Sequence, residues 1–478
     1  MFLSTSSLSD RRTATSRIPV AFFALGEYVS GTGSRACAGG WSDISKYTMD
    51  GVAPGKCWSV CTSRGREMNG KVRHSLRLTA MLYLLDYGAG NIQSLANSLT
   101  KLGYTYEWVR EPSDISKADK LLFPGVGSFA SAMDALHAKG YVEPLRAYIQ
   151  SGKPLMGICV GMQVLFEGSD ESPGVQGLGI VPARVGRFAT QDAFGRKAVP
   201  HMGWSLANVV EWDGCADQRH ELAKSYGMHD ANPSHYYFVH SYRVAWDANV
   251  AEWALTTTQY GNEIFVSSIQ HANVFATQFH PEKSGQAGLD LLAAWLQLEH
   301  VEPTTRVGRP VSSTEHMPTR RIVACLDVRS NDAGDLVVTK GESYDVRERG
   351  EQDAGASHVR NMGKPVELAQ RYYDEGADEI AFLNITSFRH WALNDQPMLS
   401  LLNVAAATIF VPLTVGGGIR DFTDPDGTFH PALKVAHAYF RAGADKVSIG
   451  TEALYAEELV LPLANEDHPS TLAPDAAP

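Results

Sequence analysis

The chain has 478 residues, long enough for two or three domains. Hydrophobic residues make up 44% and charged residues 20%, an ordinary soluble composition, and the formal net charge of -11 argues against general nucleic-acid binding, which needs a basic face. No apolar run approaches the roughly 18 residues of a membrane span, and the six irregularly spaced cysteines (Cys37, Cys57, Cys61, Cys159, Cys215 and Cys325) form no disulfide framework.

Residues 1–80 show no sustained period of 2 or 3.6 and are expected to be disordered or poorly ordered. The first stretch is rich in Ser and Arg, with Asp10 its single acid among the first 20 residues. A transit peptide, a disordered tail and a misplaced start codon all fit that composition, so a cytoplasmic location is expected with a plastid as the alternative. Cys57 and Cys61 lack a second pair or a nearby His-x-x-x-His, so no metal site is expected there.

Regular structure is expected from Met81 onward. MLYLLDY reads as a buried strand, GAGN as a turn and IQSLANSLTKLGY as an amphipathic helix closed by Gly103. KLLFPGVGSF and KPLMGI repeat the strand-then-turn pattern, the second with a helix expected after Cys159. Strand–turn–helix units in series mean a parallel sheet covered by helices. From about 176 to 280 the alternating, β-branched and aromatic runs YYFVHSYRVAW, EWALTTTQY and EIFVSSIQ read as strands joined by short turns. VFATQFH is a last strand and AGLDLLAAWLQLEH a closing helix, giving a domain over 81–300.

Residues 301–319 are polar and rich in Pro, Ser and Thr, and read as a linker. A second βα series over 320–460 follows: the strands RIVACLDV, DEIAFLNIT, IFVPLTVGGG and DKVSIGT, with the helices PVELAQRYYDEGA, MLSLLNVAAAT and PALKVAHAYFRAGA between them. Residues 461–478 read as a loose tail.

The stretch GICVG, 157–161, carries the chemistry. A thiol works as a nucleophile in its anionic form, which a helix N-terminus favours and a sharp strand-to-helix corner exposes. Flanking glycines relieve the crowding of such a corner. A buried structural cysteine with chance glycines would carry the same five residues. QFHPEKS, 278–284, adds His280 at a strand end as a base, with Glu282 placed to orient its imidazole. PGVGSF would let backbone N–H groups approach a developing oxyanion, or would simply be a tight turn.

With the Cys elbow and the His-Pro-Glu motif together, residues 81–298 resemble the class I glutamine amidotransferases. The resemblance implies Cys159 as nucleophile, His280 as general base and Glu282 as the orienting acid. It places Gly125, Gly127 and Gln163 at the glutamine pocket and oxyanion region, with His240, Ser241 and Tyr242 lining the same pocket or serving as ordinary strand residues. MLYLLDYGAGNIQS, PHMGW and YFVHSY, with RRIVACLDV, VVTKG, FLNITSF, TVGGGIRD and GADKVSIGT further on, narrow the resemblance to the bifunctional glutaminase–cyclases of histidine biosynthesis.

The fold so implied is α/β: a class I glutamine amidotransferase with a flavodoxin-like parallel or mixed sheet, then an incomplete (β/α) barrel of about four strands. Asp327, ending the first barrel strand, would act as general acid or base. Arg321 has the same parity about 20 Å away and joins Glu379 and Lys446 in a charged ring where ammonia enters. Lys340, on the loop after the first strand, would contact substrate, while Gly416, Gly417, Gly418 and Thr451 would hold a phosphate. Asn384 stands where the bacterial pattern has Asp.

The implied partners are glutamine and a phosphorylated ribonucleotide, with no cofactor, metal, nucleic acid or membrane. Ammonia from glutamine would convert a phosphoribulosyl-formimino carboxamide ribonucleotide to imidazole glycerol phosphate and an aminoimidazole carboxamide ribonucleotide. The segment from 320 to 478 is short of the about 250 residues of a whole barrel. The family's second catalytic aspartate, second phosphate site and fourth ring member have no counterpart here. The cyclase reaction is therefore expected to be incomplete in this chain, and the edges of the first and fourth barrel strands to be unpaired and open to self-association. A glutaminase with a vestigial half barrel and a non-catalytic scaffold are the competing readings.

Overall fold

Eight strands form the first sheet of this computed structural model, which describes residues 81–449 apart from 89–91, 213–222, 229–233, 299–307, 311–318, 331–335, 341–359, 386–395 and 424–426. The expectations for residues 1–80, for Thr451 and for the tail lie outside the described residues.

The strands that position the site are β1 (Leu82–Leu85), β2 (Glu107–Val109), β3 (Lys120–Gly125), β4 (Leu155–Cys159), β5 (His201–Leu206), β6 (Asn208–Val209), β7 (His235–His240), β8 (Ala254–Tyr260), β9 (Glu263–His271) and β10 (Val274–Thr277). The eight-stranded sheet runs β6-β8-β9-β10-β4-β3-β1-β2. The four pairings from β10 to β2 are parallel, and those among β10, β9, β8 and β6 are antiparallel. Strands β1, β3 and β4 are buried along their whole length, as a sheet covered on both faces requires. Their apolar runs, without polar alternation, are the sequence signature of that position.

Strands β5 and β7 pair as a separate antiparallel ribbon, with His201 opposite His240 and Trp204 opposite Tyr237. The ribbon serves two cores. Phe238 belongs to the amidotransferase core, whereas Trp204 and Tyr237 pack with Leu326, Phe382 and Leu413 of the second sheet.

That second sheet holds six strands: β11 (Val323–Ser330), β12 (Leu336–Lys340), β13 (Arg360–Gly363), β14 (Glu379–Asn384), β15 (Leu413–Gly416) and β16 (Lys446–Ser448), in the order β13-β12-β11-β14-β15-β16. The four expected strands, β11, β14, β15 and β16, are parallel neighbours, and helices Pro365–Asp374, Gln396–Thr408 and Ala432–Arg441 connect or cover them. This is the partial sheet of a half barrel.

Three local expectations need correction. The helix after Cys159 is only Val160–Gln163, four residues, and the chain then enters a strand, Phe166–Ser169. Strand Phe166–Ser169 pairs with Val181–Arg187, which ends the helix early. The linker also contributes structure, since Gly308–Arg309 pairs with Glu211–Trp212. Finally, the first barrel strand is not bare: Val328, Arg329 and Ser330 pair with β12, which pairs in turn with β13. Lys340 therefore ends a strand rather than lying on a loop. Among the described residues, β16 pairs only with β15.

Candidate active site

Two adjacent parallel strands deliver the candidate catalytic residues. Thr277 of β10 lies opposite Ile158 of β4, so the residues that follow, Gln278 and Cys159, emerge side by side at the strands' C-terminal ends. Cys159 adopts φ 54 and ψ -111, a conformation that strains any residue with a Cβ. Close packing holds it there. A Cβ on Gly161 would lie 1.9 Å from the Phe123 carbonyl oxygen, one on Gly125 would lie 2.4 Å from the Gly161 nitrogen, and one on Gly157 would lie 2.8 Å from the Gly161 carbonyl oxygen. The three glycines let β3, β4 and the first helical turn touch backbone to backbone, and the cysteine takes the corner that remains.

His280 follows β10 and opens a short 3-10 turn, Pro281–Lys283. Its Nδ1 lies 2.7 Å from Glu282 Oε1, and both side chains are buried. Nε2 makes no hydrogen bond of normal geometry among the described residues, yet Cys159 is close enough to act on its charge. Burial disfavours the imidazolium, but the charges and hydrogen-bonding capacity of Cys159 and Glu282 outweigh it and hold the His280 pKa well above the ordinary value. The main chain fixes His280 as well: its N–H donates to the Tyr237 carbonyl at 2.9 Å, and its carbonyl accepts from Ser284 Oγ at 2.6 Å.

The remaining pocket candidates converge on Cys159 indirectly. Gln163 Nε2 donates to the Tyr242 carbonyl at 3.1 Å and to Gln278 Oε1 at 2.9 Å, so both its N–H groups are used inside the protein. Gln278 Nε2 donates to Cys159 Sγ at 3.6 Å. Tyr242 therefore contributes its carbonyl, and Ser241 does likewise, accepting from the Phe188 N–H at 3.1 Å. Gly127, at φ 95, ends the turn after Gly125. Within that turn the Tyr87 hydroxyl both accepts from Val126 N–H and donates to Val126 C=O, each at 2.9 Å.

His240 is buried and bonded through Nδ1 to the Tyr242 carbonyl at 2.8 Å and through Nε2 to His201 Nδ1 at 3.1 Å. Burial lowers the His240 pKa to about 3 and takes that of His201 well below the usual range. Both are therefore neutral at pH 7. The sign for stability follows: below about pH 6.5 the unfolded imidazoles bind protons that the buried ones refuse, so each loses about 1.4 kcal/mol of stability per pH unit, for His240 down to about pH 3. His280, with its raised pKa, has its contribution in full below pH 6.5 and loses it only as pH rises through the folded value. The gap in unfolding free energy between the wild type and His240→Gln, measured in urea, is expected to narrow by about 1.4 kcal/mol per unit from pH 6 to pH 4. A gap that does not change with pH contradicts this account.

In the half barrel the structure brings Arg321, Glu379 and Lys446 together. Glu379 is 4% exposed and receives Arg321 Nε at 3.2 Å, Thr414 Oγ1 at 2.6 Å and Lys446 Nζ in direct contact. Desolvation pulls the Lys446 pKa down, partly offset by Glu379. Lys446 Nζ also lies 5.7 Å from the Tyr237 ring centroid, so the charged cluster abuts the ribbon residue whose carbonyl holds His280. The two sheets meet further at Lys283–Asp445 (2.7 Å), at Asn97 donating to the Ala406 carbonyl (2.9 Å) and at Gly285 N–H donating to the Phe410 carbonyl (2.9 Å).

Asp327 does not end the first barrel strand as expected but lies within β11, which runs on to Ser330 because its last residues pair with β12; its side chain is exposed, and partial desolvation raises its pKa. Gly416 ends β15, and Gly417 and Gly418 form the turn that follows. A Cβ on Gly417, at φ 93, would lie 2.1 Å from the carbonyl oxygen of the buried Asn384, which accounts for the glycine on packing grounds alone. The Lys340 backbone is 13 residues beyond Asp327 in sequence, across the β11–β12 pairing.

Sequence reasoning missed Gln278, His201, Thr414 and Lys283. Gln278 carried a signal, since it precedes His280 by two residues and leaves the same strand. Thr414 and Lys283 have only partners distant in sequence, and His201, though bonded to Ser205 four residues on, shows no local pattern. Among the described residues no group of three or more His, Cys, Asp or Glu could hold a metal ion, and no helix is long and apolar enough to cross a membrane.

Residues 83–296 match the family model Glutamine amidotransferase class-I, and residues 321–473 match Histidine biosynthesis protein. The Methanothermobacter thermautotrophicus protein named imidazole glycerol phosphate synthase subunit HisH is 41% identical over 218 residues, covering 46% of this chain and 98% of that subunit. The chain belongs to the imidazole glycerol phosphate synthase family. Two fused relatives of that family also match. Schizosaccharomyces pombe imidazole glycerol phosphate synthase hisHF is 53% identical over 380 residues, covering 78% of this chain and 66% of that protein. The Arabidopsis thaliana hisHF synthase, named chloroplastic, is 48% identical over 387 residues, covering 81% of this chain and 61% of that protein. The chain thus spans just under two thirds of the length of these fused synthases. Both halves of the family's architecture are present: the class I amidotransferase fold and a partial barrel sheet.

Proposed function

We propose that this chain is an imidazole glycerol phosphate synthase of histidine biosynthesis, its amidotransferase domain over 81–300 joined through 301–319 to the cyclase segment 320–460. The observation that carries the reading is Cys159 at the strained end of β4 with the buried His280–Glu282 pair beside it. The thiol proton passes to His280 as the sulfur attacks the side-chain amide carbon of glutamine. The C–N bond breaks as His280 passes a proton to the leaving nitrogen, giving ammonia and a glutamyl thioester. Water then attacks the thioester, with His280 taking its proton, and frees glutamate and the thiol. Glu282 keeps Nδ1 of His280 bonded throughout, so Nε2 faces the reaction. Gly125 and Gly127 supply backbone donors to the oxyanion, and Gln163, His240, Ser241 and Tyr242 shape the pocket.

Ammonia then passes the Arg321–Glu379–Lys446 cluster into the half barrel. There Asp327 acts as general acid or base on the phosphorylated ribonucleotide, which Lys340, Thr451 and the Gly416–Gly418 turn bind. The cluster's contact with Tyr237, and Tyr237's with His280, supports coupling between the two halves.

The test is glutamate release from glutamine by the purified chain, with and without the ribonucleotide. Release that rises with the ribonucleotide is expected. Release indifferent to it favours a glutaminase uncoupled from the barrel, and no release at all contradicts the assignment of Cys159.

A further inference from the structure

The hydrogen bonds around Cys159 form one chain in which every donor and acceptor is decided. It starts from the Tyr242 carbonyl, which can only accept and has two lone pairs. Because it faces His240 Nδ1, that nitrogen carries the proton and His240 Nε2 is an acceptor. His201 Nδ1 therefore donates to His240, and His201 Nε2 accepts from Ser205 Oγ at 3.0 Å. In the other direction, the same carbonyl requires Gln163 to present its NH2 group. Gln163 then donates to Gln278, which must answer with its oxygen, leaving the Gln278 NH2 to face Cys159 Sγ. The amide orientations are fixed here by the network.

We propose that Gln278 is a catalytic residue that donates an N–H to the Cys159 sulfur, held in that orientation by Gln163 and the Tyr242 carbonyl, with His240, His201 and Ser205 as positioning residues behind them. The proposal rests on Cys159 being the nucleophile. An N–H donor stabilises the sulfur anion over the thiol, because a hydrogen bond to a charged acceptor is roughly twice as strong as one between neutral groups. Gln278 and Gln163 are 0% and 3% exposed, so no water competes for these bonds. The neutral histidines suit the role, since a proton on His240 Nε2 would break its bond with His201 and put two donors face to face. The chain ends beside Trp204, whose carbonyl accepts from the Thr319 N–H and Oγ1 at 2.8 and 3.1 Å. The network therefore runs from Ser205, the strand neighbour of the residue that holds Thr319, to the thiol.

The test compares iodoacetamide alkylation of Cys159 in the full-length wild type and in Gln278→Glu between pH 6 and pH 10, read by mass spectrometry. That substitution keeps the shape and the oxygen that accepts from Gln163, but it replaces the donor to sulfur with an oxygen and adds a negative charge, which the uncharged Gln278→Leu does not. Alkylation of Gln278→Glu is expected to be about tenfold or more slower at pH 7, with the gap closing toward pH 10. Equal or faster alkylation at pH 7, or a deficit that is the same at every pH, overturns the proposal. Gln278→Leu, which lacks both donor and acceptor, is expected to be slowed at pH 7 with the same convergence, and it gives a second reading if the first variant is unstable. Wild-type glutamate release is scored separately, so failure of the nucleophile assignment is distinguishable from failure of the role given to Gln278.

Discussion

Cys159→Ala is expected to lower glutamate release from glutamine by about 10⁴-fold or more while leaving the fold intact. No other group at the end of β4 can form the thioester, and removal of a nucleophile from a catalytic set costs on the order of 10⁴ to 10⁶ in kcat. Cys159 is 5% exposed, and alanine removes only the sulfur. Stability should change little, because the strain at φ 54 comes from the Cβ and alanine retains it. Steady-state glutamate release and urea unfolding on the same preparation check both halves of this expectation. Residual activity above about 1% of wild type would mean that another group attacks glutamine.

The second large effect is expected at the junction of the two sheets. Glu379→Ala leaves Lys446 and Arg321 facing each other without the carboxylate that holds both. Breaking a buried ion pair by removing one partner costs about 3–5 kcal/mol, chiefly from the charge left behind. Arg321 is a third exposed and can turn to solvent, but Lys446 is more deeply placed, so the lower part of that range is expected. Thr414 Oγ1 also loses its acceptor. Adding Lys446→Met to Glu379→Ala should recover much of the loss by removing the stranded charge, and urea denaturation of the single and double variants measures it. A loss under about 1 kcal/mol for the single variant would mean that Lys446 finds water or another carboxylate. Asp445, which already pairs with Lys283, is the nearest in sequence.

How far the sequence reveals these features depends on how local their causes are. Cys159, His280 and Glu282 were legible because each lies in a short motif whose spacing reflects one turn of backbone. The four parallel barrel strands were legible because each is a solid apolar run ahead of an amphipathic helix. The short helix after Cys159 was overestimated, since MQVLF fits a helical period as well as a strand, and only pairing with Val181–Arg187 decides between them. The β12–β13 hairpin was missed although Leu336, Val337, Val338 and Thr339 carry β propensity, because its pairing spans a long insertion. Gln163 and His240 were placed near the pocket from sequence, but the relay that joins them to His201 and Gln278 was not legible there. Its partners are 39 and 115 residues apart: His201 and His240 meet across the ribbon β5–β7, and Gln163 and Gln278 meet past the ends of the paired strands β4 and β10.

The contact between the two halves has the same origin. Tyr237 touches the barrel cluster with its ring and holds His280 with its carbonyl. Nothing in HYYFVH marks which of its tyrosines does so. The alternation of the strand places it, because Tyr237 and Val239 turn toward the barrel core while Phe238 and His240 turn toward the amidotransferase.

The most direct measurement of the central claim is covalent capture with a glutamine analogue carrying an electrophilic carbon in place of the amide. The wild-type chain should gain one adduct, mapped by peptide mass spectrometry to Cys159 and suppressed by excess glutamine. An adduct on Cys325, or on no residue of the folded chain, would contradict the account.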